Sequence, residues 1–135
     1  FNKTFNIIEF GAIFVDSQDK VINNIKFSSN KKYISSFEYT RKSKGINSVC
    51  NKLYSREFIN ENKLRFKEKV YSEDFEFNTR VYFFAKNMCT INLNIVAFLN
   101  NENSITRTKS TIHINKYLND LISNMISNVF FILKS

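Results

Sequence analysis

The sequence predicts an α/β fold, a short mixed sheet with packed helices and a C-terminal amphipathic helix. Three observations predict it. An N-terminal stretch rich in β-branched and aromatic residues reads as a strand pair. A middle region shows helical spacing of apolar residues followed by an alternating run. The last 25 residues place Ile114, Tyr117, Leu118, Leu121, Ile122, Met125, Ile126, Val129 and Phe130 at three-and-four spacing.

Taken in order, Phe5 to Val15 is the first strand and Val21 to Phe27 the second, with Asp16-Ser17-Gln18-Asp19 as the turn between them. That turn lacks the spacing of a D-x-D metal motif. Residues 30 to 47 are polar and ambiguous. From Cys50, Leu53, Phe58 and Ile59 are placed on one face of a helix that ends at Asn60-Glu61-Asn62. Leu64-Arg65-Phe66 is a short extended piece. Ser72 sits where a helix N-cap belongs, with Glu73 and Asp74 in the first turn. Phe75, Phe77, Val81, Tyr82 and Ala85 continue that helix, residues 89 to 99 form a strand, and Asn100 to Ser110 a polar loop. Residues 1–110 are thus expected as one body and 111–135 as the C-terminal helix, with its apolar face on the core.

With 135 residues, 43% of them hydrophobic, the chain has material for one core and is too apolar for intrinsic disorder. It has no proline and two glycines, so Asn, Asp and Ser must make its turns. The net charge of +8 suits phosphate-bearing partners, an anionic membrane face or nucleic acid, without choosing among them. The basic residues are spread along the chain, with one small cluster at Arg41, Lys42 and Lys44, and no nucleic-acid motif accompanies them. Cys50 and Cys89 have no CxxC spacing, which argues against a metal site and for two buried reduced thiols. No apolar run is long enough to span a bilayer. His113, the one histidine, has no sequence neighbour as partner and is read as structural.

Four segments carry a further signal through their order. They are Cys50-Asn51-Lys52-Leu53-Tyr54-Ser55-Arg56-Glu57-Phe58, Asn62-Lys63-Leu64-Arg65-Phe66, Tyr71-Ser72-Glu73-Asp74-Phe75-Glu76-Phe77-Asn78, and Asn103-Ser104-Ile105-Thr106-Arg107. The succession resembles the C-terminal, acceptor-side half of the bacterial family-2 glycosyltransferases of GT-A (nucleotide-diphospho-sugar transferase-like) fold. Where that family has tyrosines and an arginine before the last motif, this chain has Val96-Ala97-Phe98-Leu99.

The resemblance implies a partial GT-A fold and an inverting transfer of sugar from a nucleoside-diphosphate donor to a glycan or lipid-linked acceptor, as in bacterial cell-surface polysaccharide synthesis. It assigns Asp74 as general base and Glu73 as its helper. Asn103, Ser104, Thr106 and Arg107 are read as a substrate-binding loop whose guanidinium suits donor phosphate, or as an ordinary Asn/Ser turn before the last helix. Lys52 is read as a substrate contact on the acceptor side or as a solvated lysine of the first helix. The resemblance also implies a divalent cation, Mg or Mn, whose ligands are not in this chain. The expected setting is cytoplasmic, with peripheral association at the inner face of the membrane. The donor-binding region is not matched, so the chain alone is expected to be inactive. The rival readings are a basic non-catalytic module for nucleic acid or a membrane surface, and a degenerate relative of the transferases.

Chemically, a sugar hydroxyl is a poor nucleophile, so a carboxylate must take its proton in an oxocarbenium-like transition state. The first turn of a helix, with its free N–H groups and positive dipole end, favours negative charge at that place.

Overall fold

A computed structural model describes residues 5–27, 30–33, 35–36, 38–39, 47–101 and 110–134. The fold is mixed α/β. Strands β1 (Ile7–Val15), β2 (Val21–Ile25), β3 (Lys31–Tyr33), β4 (Lys52–Tyr54) and β5 (Met88–Leu99) form one mixed sheet. Three helices accompany it: α1 (Arg56–Glu61), α2 (Glu73–Phe84) and α3 (Thr111–Lys134).

Strand β1 is the spine. It pairs in parallel with β5 along its whole length. Its other edge is divided, with β4 antiparallel to Ile7–Glu9 and β2 antiparallel to Ala12–Val15. The expected hairpin is therefore present. Its turn is closed by Asp16, whose Oδ1 accepts the N–H groups of Gln18 (2.9 Å) and Lys20 (3.0 Å). Asp19 takes a left-handed conformation there, a role glycine usually fills. Lys63, Lys69 and Ser72 do the same elsewhere, so lysine joins aspartate and serine in making the turns of a chain almost without glycine.

Gly11 is required at its position by close approach. The β1–β5 register jumps there, from Phe10 opposite Ile91 to Gly11 opposite Asn94. A Cβ on Gly11 would lie 2.2 Å from Asn94 Oδ1 and 2.7 Å from the Ile25 carbonyl oxygen. The amide can swing away, but the carbonyl belongs to β2. Gly11→Ala is expected to cost about 1–3 kcal/mol in urea unfolding, the range of an overpacked strand.

The core joins the first half of β1 and β5 to the helices. Ile7 and Met88, paired across β1 and β5, pack with Phe58 of α1, Leu64, Phe77 and Val81 of α2, Ala85, and Tyr39. Phe66 stacks on Phe77 with ring centroids 4.0 Å apart. Each fully buried Ile, Leu, Val, Phe or Met of this cluster contributes about 1.5–3 kcal/mol by leaving water.

Two expectations are corrected in this region. The helix read from Cys50 begins only at Arg56, because Lys52–Tyr54 is taken up as β4 on the edge of β1. The start is marked by Ser55, whose Oγ accepts the Phe58 N–H (3.2 Å), and the end by Asn62 as expected. Cys50 is exposed and Cys89 half-buried, so neither thiol is sealed in the core.

The C-terminal helix spans Thr111–Lys134, but it is docked the other way round from the expectation. Its buried residues are Asn124 and Asn128, while Ile114, Leu118, Ile122, Met125, Ile126, Val129 and Phe130 stand exposed. The reason lies in what it packs against. The segment before α2 has backbone groups that need partners. Asp120 accepts the Tyr71 N–H (2.9 Å), and Asn124 donates to the Tyr71 carbonyl (3.0 Å). Asp120 and Asn124 thus satisfy the part-buried backbone of Tyr71, whereas buried Asn128 finds no hydrogen-bond partner for either side-chain polar atom among the described residues. Phe131 adds edge contacts to Phe83 and Phe84 at centroid distances of 5.8 and 5.5 Å. No helix among the described residues is long and apolar enough to cross a membrane.

Candidate active site

Helix α2 starts where the sequence places it. Ser72 occupies the N-cap, in a left-handed conformation (φ 60°) and without a side-chain capping bond, and Glu73, Asp74 and Glu76 populate the first turn. The turn opens onto a cleft of about 310 Å³ lined by Asn47, Ser72, Glu73, Asp74 and Phe75 on one side and by Tyr117 and Leu121 of α3 on the other. That volume is at the small end of the ~300–1,000 Å³ range of small-molecule clefts.

Asp74 is half-buried and held in direction, its Oδ2 accepting the Val49 N–H (3.2 Å). Glu73 is exposed at the rim. Behind them, a polar ladder ties α2 to the segment before β4. Tyr54 donates to Asn78 Oδ1 (2.9 Å), and Asn78 Nδ2 donates to Asn47 Oδ1 (3.4 Å). Burial, then the Asp74 and Glu9 carboxylates, push the Tyr54 phenol well above its ordinary range, which keeps it a hydrogen-bond donor.

Beneath the ladder lies a buried charge network that sequence reasoning did not find. Glu9, fully enclosed in β1, meets Lys52 Nζ at 3.3 Å, Asn51 Nδ2 at 3.0 Å and the Tyr39 hydroxyl. Lys52 Nζ also donates to Asn51 Oδ1 (2.9 Å) and to the Ser48 carbonyl. Desolvation lowers the Lys52 ammonium from its usual 10.5, against the opposing pull of Glu9. The lone signal in sequence was an acid inside an otherwise apolar strand, Ile7-Ile8-Glu9-Phe10.

Lys52 therefore neither lies solvated on a helix nor opens onto the cleft, as the reading from sequence had it. Its side chain has no exposed surface and is spent on Glu9, Asn51 and Ser48. Its link to the site is indirect. It holds the Ser48 carbonyl, and the next residue's N–H holds Asp74. Asn103, Ser104, Thr106 and Arg107, the other expected substrate contacts, lie outside the described residues, as do Arg41, Lys42 and Lys44.

The far wall of the cleft is fixed by α3. Asp120 accepts from Lys116 Nζ (2.6 Å) and from the Tyr71 N–H, and these bonds, the lysine's first, hold its carboxyl below the usual 3.8. His113 packs on Tyr71 with ring centroids 4.8 Å apart and its Nδ1 3.3 Å from the hydroxyl. Glu76, two residues beyond Asp74 and so on the opposite side of the helix, faces away and is buried in ion pairs with Arg80 (2.7 Å) and Lys67 (3.7 Å). The three acids of this turn thus have separate environments: rim, cleft wall and buried pair.

Among the described residues, no three His, Cys, Asp or Glu side chains converge as a metal site. No family model matches the sequence, and no curated protein matches it.

Proposed function

We propose that the chain is the acceptor-side part of an inverting glycosyltransferase of the family-2, GT-A type, with Asp74 as the general base. The observation that carries this reading is the placement of Asp74. Its carboxylate lines a cleft of sugar-ring size, in the first turn of a helix, with one oxygen fixed by the Val49 N–H. The order of the four sequence motifs supports the same reading.

In the proposed step, the acceptor hydroxyl attacks the anomeric carbon of the donor sugar. Its proton passes to Asp74 as the new glycosidic bond forms and the nucleoside diphosphate departs. Glu73 at the rim orients the acceptor by accepting a hydrogen bond from a neighbouring hydroxyl. The Tyr117 ring, on the opposite wall, offers an apolar face to the sugar. The divalent cation that the family resemblance expects in the intact enzyme has no ligand set among the described residues, and when bound it would neutralise the departing diphosphate.

The test is a titration of isotope-labelled chain with free hexoses, N-acetylhexosamines and disaccharides, read by amide chemical shifts. Shifts are expected at Asn47, Ser72 to Phe75, Tyr117 and Leu121. A chain that ignores every saccharide but responds to oligonucleotides or anionic vesicles would overturn the reading.

A further inference from the structure

We propose that the chain pairs with a second copy of itself along the outward face of α3. The observation is an apolar seam with heptad spacing. Leu118, Ile122, Met125, Val129 and Ile132 follow one another at steps of four, three, four and three residues, and all are 42 to 56% exposed. This is the a/d pattern of a helix that meets another helix. Ile114, Ile126 and Leu133 widen it on its flanks, and all three are exposed.

The patch is contiguous and apolar. Eight aliphatic or methionine side chains left about half open, each with on the order of 100 Å² of apolar surface, present roughly 400 Å² per copy, a patch of the size that marks an interaction site on a monomer. The docking geometry lowers the cost of association. Asp120, Asn124 and Phe131 already fix α3 as a helix on the body, so little order remains to be imposed on pairing.

Charge selects the occupant. The chain carries +8, yet from Tyr117 to Leu133 the only charged residue of α3 is Asp120, which faces the body and is bound to Lys116. Two copies can therefore meet along the seam without bringing like charges together. A helix that lies on an anionic bilayer is instead marked by Lys and Arg on its polar face. Here the exposed polar positions beside the seam are Asn115, Asn119 and Ser123, and Lys116 and Lys134 stand near the two ends. A two-fold pairing of identical seams closes on itself and leaves no free copy of the patch.

The test is sedimentation velocity of the full chain, without lipid, across a micromolar dilution series. The expected mass is about twice 16.0 kDa. Met125→Glu with Val129→Glu should raise the dissociation constant by about 100-fold or more, since it buries like charges in the seam. The milder Ile122→Ser with Met125→Ser should weaken pairing in the same direction. Ser123→Glu, exposed off the seam, should leave it unchanged. Circular dichroism confirms that each variant keeps its helices. A wild-type chain that stays monomeric throughout overturns the proposal, and so does pairing that survives both double substitutions. A monomer that sediments with phosphatidylglycerol vesicles overturns it in favour of a bilayer.

Discussion

Asp74→Asn is expected to lower sugar transfer by about 10²–10⁴-fold in the intact transferase, the usual contribution of a positioned general base. The substitution is close to isosteric. The introduced amide keeps an oxygen that can accept the Val49 N–H, so the start of α2 and the cleft walls should stay as they are. What is lost is the ability to take a proton. The loss should therefore fall on kcat, with the acceptor KM nearly unchanged. Glu73→Gln, at the exposed rim, should show the converse balance, with a weaker effect that falls more on KM. Near-normal turnover by the Asp74 variant, measured with labelled donor sugar, would remove the base assignment.

Lys52→Met is expected to destabilise the fold by about 3–5 kcal/mol, because it strands the Glu9 carboxylate in the interior. For a domain of this size that is a fall of roughly 10–18 °C in Tm. Lys52→Met with Glu9→Gln should recover most of the loss, since an uncharged pair removes the buried charge along with its partner. A double variant as unstable as the single one would show that Lys52 matters by its packing instead. The pH dependence has a definite sign. Burial holds Lys52 below its ordinary 10.5, so the unfolded chain binds more protons than the folded one between the two values. Stability from this residue is thus least at low pH and rises as pH climbs through the folded value towards 10.5. The Lys52→Met variant should lack that rise.

The hairpin, the start of α2, β5 and the bounds of α3 were legible in the sequence, because local chemistry determines each. Asp16 supplies its own turn acceptor, Ser72-Glu73-Asp74 has the composition of a helix start, and residues 111 to 134 keep one period for their whole length. What could not be read depended on distant partners. Lys52 to Tyr54 forms a strand only because Ile7 to Glu9 offers it an edge, so a helical period through Cys50 was misleading. Glu9 and Lys52 are 43 residues apart in the chain, and nothing near either one announces the other.

Periodicity also gave the apolar face of α3 correctly but not its direction. The backbone of Tyr71 needs polar partners, and Asp120 and Asn124 supply them from the polar side of the helix. In the candidate site, the residue types at Glu73 and Asp74 were visible from sequence. The opposite wall, Tyr117 and Leu121, was not, since it belongs to a helix more than forty residues further on.

The central place of β1 has a kinetic consequence. Its parallel partner begins at Met88, about eighty residues after Ile7, so that edge stays unpaired until most of the chain has left the ribosome. Helices α1 and α2 can form early from local contacts, but the sheet cannot close behind them. A nascent chain halted before Met88 would expose Phe10, Ala12 and Phe14 on an open strand, the kind of edge that recruits other chains. Closure of β5 onto β1 covers that edge and ends the interval in which it is open to other chains.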